Sequence, residues 1–582
     1  MEKATSRPPR KDTVLSRRYI EGLIADGKHV IIFEGRVLKV DAFLKFHPGG
    51  EKPIKHMVGR DATDEINALH SKEARERMLS FQIGRIQEPW INFLPVIQGG
   101  KFRVYTEETC SSEEDLPSQD TSSQEGSLPP SPIFDAIDSK SVTRRKRPSL
   151  GTDSSASTPP NEESHPKFGF LDARTRDEIA LDTSKYPSLD FSCQENIKQK
   201  YRALNQRMLD EGMFDCNYWA YFVECCRYTL FAVLAYTFLR MGWWGTSAFW
   251  LGCVWHQLVF TAHDAGHMGI THNFHFDTVI GIIIADFIGG LSLGWWKRSH
   301  NVHHIVTNEP EHDPDIQHIP FFGISHRFFN SLRSTYYDRE MTFDIPSQFL
   351  LKVQHYTYYP IMMLARFNLT RLSWEYLLKG QAPRKGPAWW HVYLEFVGQA
   401  FFWYWYGYVV LYKTIPDWSS RLLFLLVSHV IPSPLHVQIT LSHFAMSTAD
   451  LGIHESFPQK MLRTTMDVDC APWLDFFHGG LQFQAIHHLY PRMPRHNLRQ
   501  AQKYILRILS RNRDSVRYIH VLRRQQGGHQ PTRRRRQTAP HHGRVSKVDC
   551  GGGRLFPSSL ITACFESSHV THNACWTCGR VS

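Results

Sequence analysis

Read along the chain, the spacing of apolar and polar positions changes character several times. Residues 13–92 alternate in short runs: Val30-Ile31-Ile32-Phe33 and Arg36-Val37-Leu38-Lys39-Val40 flank a Glu34-Gly35 turn, and polar-apolar segments of helical period follow, which together predict a compact α+β domain. Residues 108–165 are Ser-, Asp-, Glu- and Pro-rich with few large apolar groups, too little to offset chain entropy, so they are expected to form a disordered linker. Within it Arg144-Arg145-Lys146-Arg147-Pro148-Ser149 offers a candidate phosphorylation site, against the plainer reading of a solvated charge run. A soluble helix is predicted over 193–212. From Asn217 onward long aromatic-rich apolar runs take over, at about 219–239, 247–262, 389–412 and 422–441. Each approaches the roughly 20 residues that cross hydrocarbon, and Trp and Tyr crowd their ends as in interfacial belts, which favours two membrane hairpins over buried core helices. Two further runs, Thr278–Trp296 and Tyr356–Leu369, are read as interfacial or packed on the bundle, because a crossing by the first would separate histidine clusters on its two sides.

Composition changes this picture little. The 582 residues carry 67 Lys plus Arg and 56 Asp plus Glu, a net charge of +11, with only 11 Cys, three of which (Cys225, Cys226, Cys253) sit in apolar runs as small hydrophobes. A secreted disulfide scaffold is excluded on that count. Ten Lys plus Arg against two Asp plus Glu lie in residues 523–582, a net of +8, which leaves +3 for the other 522 residues and no case for nucleic-acid binding. The basic N-terminus leads into no apolar signal segment, so the chain is expected to start in the cytosol. Lys297, Arg298, Arg492, Arg495 and Arg499 gather beyond one set of span ends, and the positive-inside bias then places both termini and the intervening chemistry on the cytosolic side.

The 32 histidines are more informative than the charge. His263-Asp264-Ala265-Gly266-His267 continues the second run with histidines four apart, on one helical face. His300-Asn301-Val302-His303-His304 repeats the spacing of three and four, Gln484-Ala485-Ile486-His487-His488 follows the fourth run, and His443 stands at that run's end. Imidazoles without thiolates suit iron, copper, nickel or zinc, and seven to nine of them exceed the needs of one ion. Ionisable groups against membrane spans are expensive unless they serve a site. His256, His318, His355 and His391 are read as hydrogen-bonded surface groups, His29 and His56 likewise, and His272, His275 and His312 as weaker candidates. Asp264, Asp313 and Asp315 are candidates to orient a ligand through its second ring nitrogen.

In that order, with Gln484 opening the third box, H-D-A-G-H, H-N-V-H-H and Q-A-I-H-H resemble the membrane-bound front-end desaturase family, non-haem di-iron enzymes with an N-terminal cytochrome b5 domain. The resemblance covers residues 13–92 and about 166–520. It implies a multidomain architecture: a small α+β haem domain (13–92), the linker (108–165), and an all-α membrane desaturase domain (166–520) with four transmembrane helices and a cytosolic cap. It also implies metal ligation by His263, His267, His300, His303, His304, His443, His487 and His488. His47-Pro48-Gly49-Gly50 matches the family's haem motif, and Asp61 to His70 supplies the second axial histidine; a haem held by His47 and His70 passes electrons and has no open position for O2. Pro48, Gly49 and Gly50 let the backbone approach the macrocycle.

The implied chemistry is O2-dependent formation of a double bond in a lipid chain by two iron ions, fed with electrons through haem b from NADH by an NADH-cytochrome b5 reductase, in the endoplasmic reticulum membrane. The stretches Gly289–His300, Thr307–His318 and His263–His272 are similar to the fungal sphingolipid Δ8 desaturases, so ceramide or its long-chain base is the expected substrate, with Δ6 or Δ5 fatty-acyl desaturation as runner-up. A lipid hydroxylase and a non-catalytic haem carrier are the readings of other classes. The segment 523–582 departs from the family; its Cys575-Trp576-Thr577-Cys578, near Cys550, Cys564, His569 and His572, is a weak metal signal, and a disordered, dispensable extension is expected.

Overall fold

The computed structural model describes residues 11–101 except Glu88, a few positions between 176 and 184, and 189–511, the last six without their side chains. The expectations for the 108–165 linker and the 523–582 extension lie outside the described residues. Those described belong to two compact units, one reaching Leu181 and including 451–454, the other holding the remainder.

In the first unit α1 (Arg17–Ala25) precedes a three-stranded antiparallel sheet of β1 (Val30–Phe33), β2 (Arg36–Lys39) and β3 (Gln82–Arg85) in the order β1-β2-β3. Glu34 and Gly35 both take positive φ, as a two-residue hairpin turn whose twist matches its strands requires. Between β2 and β3 the chain makes α2 (Lys52–Lys55), α3 (Thr63–Leu69) and α4 (Lys72–Met78). Ile20, Ile24, Val30, Ile32 and Val37 form the core, closed by Trp90 and Phe93.

The second unit begins with α5 (Phe191–Asp210), close to the expected helix, and continues into α6 (Tyr218–Arg240) and α7 (Trp244–Gly266). Asn217 caps α6 by accepting from the Ala220 N–H. The run read as interfacial is α8 (Phe274–Ile282), which widens into a π-helix over Ile283–Ile288, bends by 118°, and resumes as α9 (Leu293–Ile305). A short hairpin follows, β4 (Leu332–Ser334) with β5 (Arg339–Met341), so the domain is not purely α. Next come α10 (Ile345–Lys352), α11 (Gln354–Met363), α12 (Ala365–Leu378) and α13 (His391–Phe402), the last extended by a π-helix over Trp403–Thr414. After α14 (Trp418–Val430) and α15 (Ser433–Phe444) lie α16 (Phe457–Thr464), α17 (Asp475–His478), α18 (Gln484–Leu489) and α19 (Leu498–Arg511).

Among the described helices two are long and apolar enough to cross a membrane, Tyr218–Arg240 and Trp418–Phe444, or three if the bent Phe274–Ile305 pair is one span. The other two expected spans are weaker for visible reasons. His256, Gln257, His263 and Asp264 interrupt α7, and the 389–412 run changes from α- to π-helix at Trp403. Close approach holds the bundle together: a Cβ on Gly252 of α7 would stand 2.6 Å from Ile431 and 3.1 Å from the Ser428 carbonyl of α14.

Candidate metal centre

Two histidine sites are built, each within its own unit. In the first, His47 and His70 face one another with ring centroids 5.9 Å apart. His47 Nδ1 lies 2.7 Å from the Gly50 carbonyl and His70 Nδ1 3.2 Å from the Ile66 carbonyl. A carbonyl only accepts, so Nδ1 carries the proton in both rings and Nε2 carries the lone pair. His56, expected at the surface, is instead fully buried, with Nδ1 3.1 Å from the Gln98 amide.

In the second unit, α7 presents His263 and His267, α9 presents His300, His303 and His304, α15 ends on His443, and α18 contributes His487 and His488. Donor atoms of His263, His267, His300 and His487 all lie within 4.8 Å of one another, as do those of His303, His443 and His488. His304 lies between the sets, its ring 4.2 Å from His488, 4.9 Å from His267 and 5.0 Å from His487. The box spacing does this locally, since positions three and four apart share a helical face. Gly266 does it across helices: its Cβ would fall 2.1 Å from the Trp296 ring, so glycine lets α7 meet α9.

The donor set fits a cation. His267 Nε2, His304 Nδ1, His443 Nε2, His487 Nε2 and His488 Nε2 are buried and have no hydrogen-bond partner. Burial, then the neighbouring His263, pushes His487 well below the usual imidazole range, and burial, then His443, does the same to His488. Neutral imidazoles with unused nitrogens crowded together are costly in a folded core unless an ion takes the lone pairs.

Comparison with known proteins agrees with this geometry. The family described as "Fatty acid desaturase" matches residues 230–520, and "Cytochrome b5-like Heme/Steroid binding domain" matches 19–87. A protein of Emericella nidulans named "Delta 8-(E)-sphingolipid desaturase" is 71% identical over 496 residues, 85% of this chain and 89% of the relative. Proteins of the same name from Kluyveromyces lactis and Candida albicans are 48% and 44% identical, over 85% and 86% of this chain and 87% and 91% of theirs. The chain belongs to the fatty acid desaturase family. It is a membrane oxidoreductase acting on lipid, its N-terminal domain is of the haem-binding cytochrome b5 type, and its family implies iron.

Around the histidines of this desaturase lies a set of polar clamps, of which the sequence pattern singled out only Asp313 in that role. Asn308, in left-handed backbone conformation, donates Nδ2 to the His443 carbonyl (2.9 Å) and the Ser447 carbonyl (3.1 Å), while its N–H reaches Asp313 Oδ2 (2.7 Å). Asp313 accepts from His303 Nδ1 at 2.9 Å, which turns that ring's Nε2 lone pair outward, as expected for an orienting carboxylate; Asp315 lies farther off, 3.7 Å from His300 Nδ1. Asp467 accepts from the Ala485 N–H (2.8 Å) at the start of α18 and from Gln502 (2.8 Å), and burial pushes its carboxyl up to about 6. Gln484 donates to the Leu481 carbonyl (2.9 Å) and is absent from both histidine sets.

Asp264 departs from expectation: it accepts from Tyr221 and from Arg495 Nη1 (3.3 Å), not from a box histidine. Arg495, read only as one of the basic residues gathered beyond the span ends, is 3% exposed and also pairs with Glu224 of α6. Burial works against its charge, but Asp264 and Glu224 push its pKa up, so it stays a cation. Arg499 is likewise tied to Asp475. His256 and His391, expected at the surface, are buried, because His256 stacks on Phe477 and His391 meets His275 at 3.3 Å. His318 and His355 are half-buried, and His272, His275 and His312 stand outside the two histidine sets.

Proposed function

We propose that this desaturase forms the Δ8 double bond of the long-chain base of ceramide or a related sphingolipid, in the E geometry that its fungal relatives' names carry. The observation that carries the reading is the 71% identity to the Emericella nidulans protein, extending over 89% of its length and so over both units. His47 and His70 would hold haem b, which would supply electron transfer, with Pro48, Gly49 and Gly50 shaping the turn beside it. His263, His267, His300 and His487 would hold one iron ion and His303, His443 and His488 a second, with His304 between the two sets. When bound, the reduced iron pair supplies with O2 the oxidising power to take two hydrogens from adjacent methylenes, and two electrons and two protons complete the formation of two waters.

The chain's own residues hold geometry. Asp313 fixes the His303 tautomer, Asn308 ties the end of α9 to the end of α15, and Asp467 anchors the start of α18, so donors from four helices keep one arrangement. A haem domain tethered to this unit raises the effective concentration of electron donor at the acceptor. Electrons reach it from NADH through an NADH-cytochrome b5 reductase. The domain limits 13–92 and 166–520, four spans in two hairpins, and an endoplasmic reticulum location with both termini and the histidines cytosolic complete the proposal. Expression in cells lacking 8-unsaturated bases, followed by mass spectrometry of sphingoid bases and fatty acids, tests it. Bases carrying an 8-E double bond are expected; new polyunsaturated fatty acids beside unchanged bases overturn it.

A further inference from the structure

The second histidine box reaches the metal site on a helix whose direction is set by a bend inside the bundle. Past the π-helix over Ile283–Ile288 the chain turns by 118°, and α9 starts after its cap, Ser292. An α-helix leaves its first N–H groups without intrahelical acceptors. Three side chains take them: Asp286 Oδ2 accepts from the Leu293 N–H (3.3 Å), Glu395 Oε2 of α13 from the Gly294 N–H (3.4 Å), and Ser292 Oγ from the Trp295 N–H (3.0 Å). The Ser292 hydroxyl donates in turn to Glu395, and the Ser292 N–H donates to Ser373 Oγ of α12 at 2.9 Å. Arg366 of α12 reaches the same bend but spends Nη2 on the Gly289 carbonyl, at 2.5 Å. The fit is close: a Cβ on Gly294 would stand 2.5 Å from Glu395 Oε1 and 2.7 Å from the Tyr376 hydroxyl oxygen, and one on Gly398 would stand 2.7 Å from the Asp286 Cβ.

Asp286 is 0% and Glu395 2% exposed, and neither forms an ion pair among the described residues. Their partners are the hydroxyl and N–H groups already named and the Gln399 amide of α13, which donates to Asp286 Oδ1 at 3.1 Å. One negative charge at a helix N-terminus is favoured. Two side by side in a low-dielectric bundle, with no cation to share, are not, so the pair keeps at least one proton. The cost of burying both carboxyls is offset by the hold they give on α9, and α9 is a lever. From Gly294 to His304 it rises about 15 Å, so a tilt of about 4° at the bend displaces His304 by about 1 Å. A functional constellation tolerates only about half that.

We propose that Asp286 and Glu395 are positioning residues of the second histidine box, a partly protonated carboxyl pair that accepts the first N–H groups of α9 and so fixes where His300, His303 and His304 stand. The inference rests on the iron ligation proposed above. Because α9 supplies His300 to one donor set and His303 to the other, a loosened bend weakens both iron sites together. The amide of Gln or Asn offers α9 the same acceptor without a charge. The role therefore survives replacement of either carboxyl by its amide and fails when the side chain is cut back.

The test uses the full-length, haem-loaded protein as wild type, Glu395→Gln, Asp286→Asn, Glu395→Ala and Gly294→Ala, the last pushing the Glu395 carboxyl aside without removing it. A cooperative melt by tryptophan fluorescence controls for folding. Iron affinity by chelator competition and the visible spectrum of the protein reconstituted with cobalt(II) read the ligand geometry without turnover. Each amide variant is expected to stay within about twofold of wild type in iron affinity and to keep its cobalt bands, whereas Glu395→Ala and Gly294→Ala lose about 10- to 100-fold in affinity for both ions and shift the bands. Folded alanine variants of both kinds with wild-type affinity and spectrum overturn the positioning role. Amide variants as impaired as Glu395→Ala overturn the partly protonated pair, since the charge itself would then be required. A wild type that takes up neither iron nor cobalt at the histidines removes the ligation reading instead, a result distinct from either.

Discussion

The haem domain and the membrane unit both rely on imidazole, but they recruit it differently. His47 and His70 come from one local stretch, each ring fixed by a carbonyl three or four residues away, and the β1–β3 sheet and its helices complete the fold around them. The membrane unit gathers eight histidines from positions 263 to 488 on four helices and keeps them in register with long-range clamps: Asn308 to the His443 carbonyl, Arg495 to Glu224 and Asp264, Asp467 to Ala485. A two-ligand site that only passes electrons can be local, since the macrocycle supplies the remaining ligands. A site that must leave room for O2 and a lipid chain needs ligands from several directions and a scaffold that holds them apart.

The sharpest way to break the comparison is to remove one site and watch the other. His303→Ala with His304→Ala is expected to lower product formation more than about a hundredfold and to strip iron, while the haem absorbance stays at wild-type intensity. His70→Ala should do the reverse, losing the haem spectrum while iron, measured by elemental analysis, is retained. Loss of both groups in either variant would mean that the sites are not independently built. Next in size is Arg495→Met, which leaves Glu224 and Asp264 buried without their cation and is expected to cost about 3–5 kcal/mol. Thermal melting followed at the haem band and by tryptophan fluorescence should show the membrane unit destabilised and the haem unit unmoved. Asp313→Asn is milder: the protein should fold, and iron affinity by chelator competition should fall about 10- to 100-fold.

These clamps also mark where sequence reading stops. The boxes are legible because their logic is local: two histidines four apart share a face whatever surrounds them, and the Glu34-Gly35 turn between alternating runs is as plain. His443 was read from its position at a run's end, and the structure places it with His303 and His488. Arg495 could not be read in this way. In the sequence it is one of several arginines beyond a span, and only folding brings it to carboxylates more than two hundred positions away. Asp264 misled for the same reason, since its place between two box histidines suggested a local partner, whereas Arg495 and Tyr221 claim it. The π-helical stretches at 283–288 and 403–414 leave no periodic trace in apolar runs this uniform.

The smallest expected effect is the pH dependence of the membrane site. In the iron-free membrane unit His487 and His488 are held neutral by burial and by neighbouring imidazoles, so their folded pKa lies below the unfolded value of about 6.5. Below that pH the unfolded chain binds protons that the folded chain refuses, and stability must fall as pH falls; above it the two states bind alike and the contribution is flat. Each histidine adds at most about 1.4 kcal/mol per pH unit in that window. Melting of chelated protein between pH 7.5 and 5.5 should therefore show a descending limb for the membrane unit, reduced by His487→Asn or His488→Asn. Iron should raise the whole curve without flattening the limb, because an ion that takes the lone pairs binds only the folded state and keeps its imidazoles unprotonated, so the unfolded chain still takes up protons that the folded chain refuses. A membrane unit equally stable at both pH values without iron would mean that its third-box imidazoles are solvated, and that the clamps hold less of the site than the geometry says.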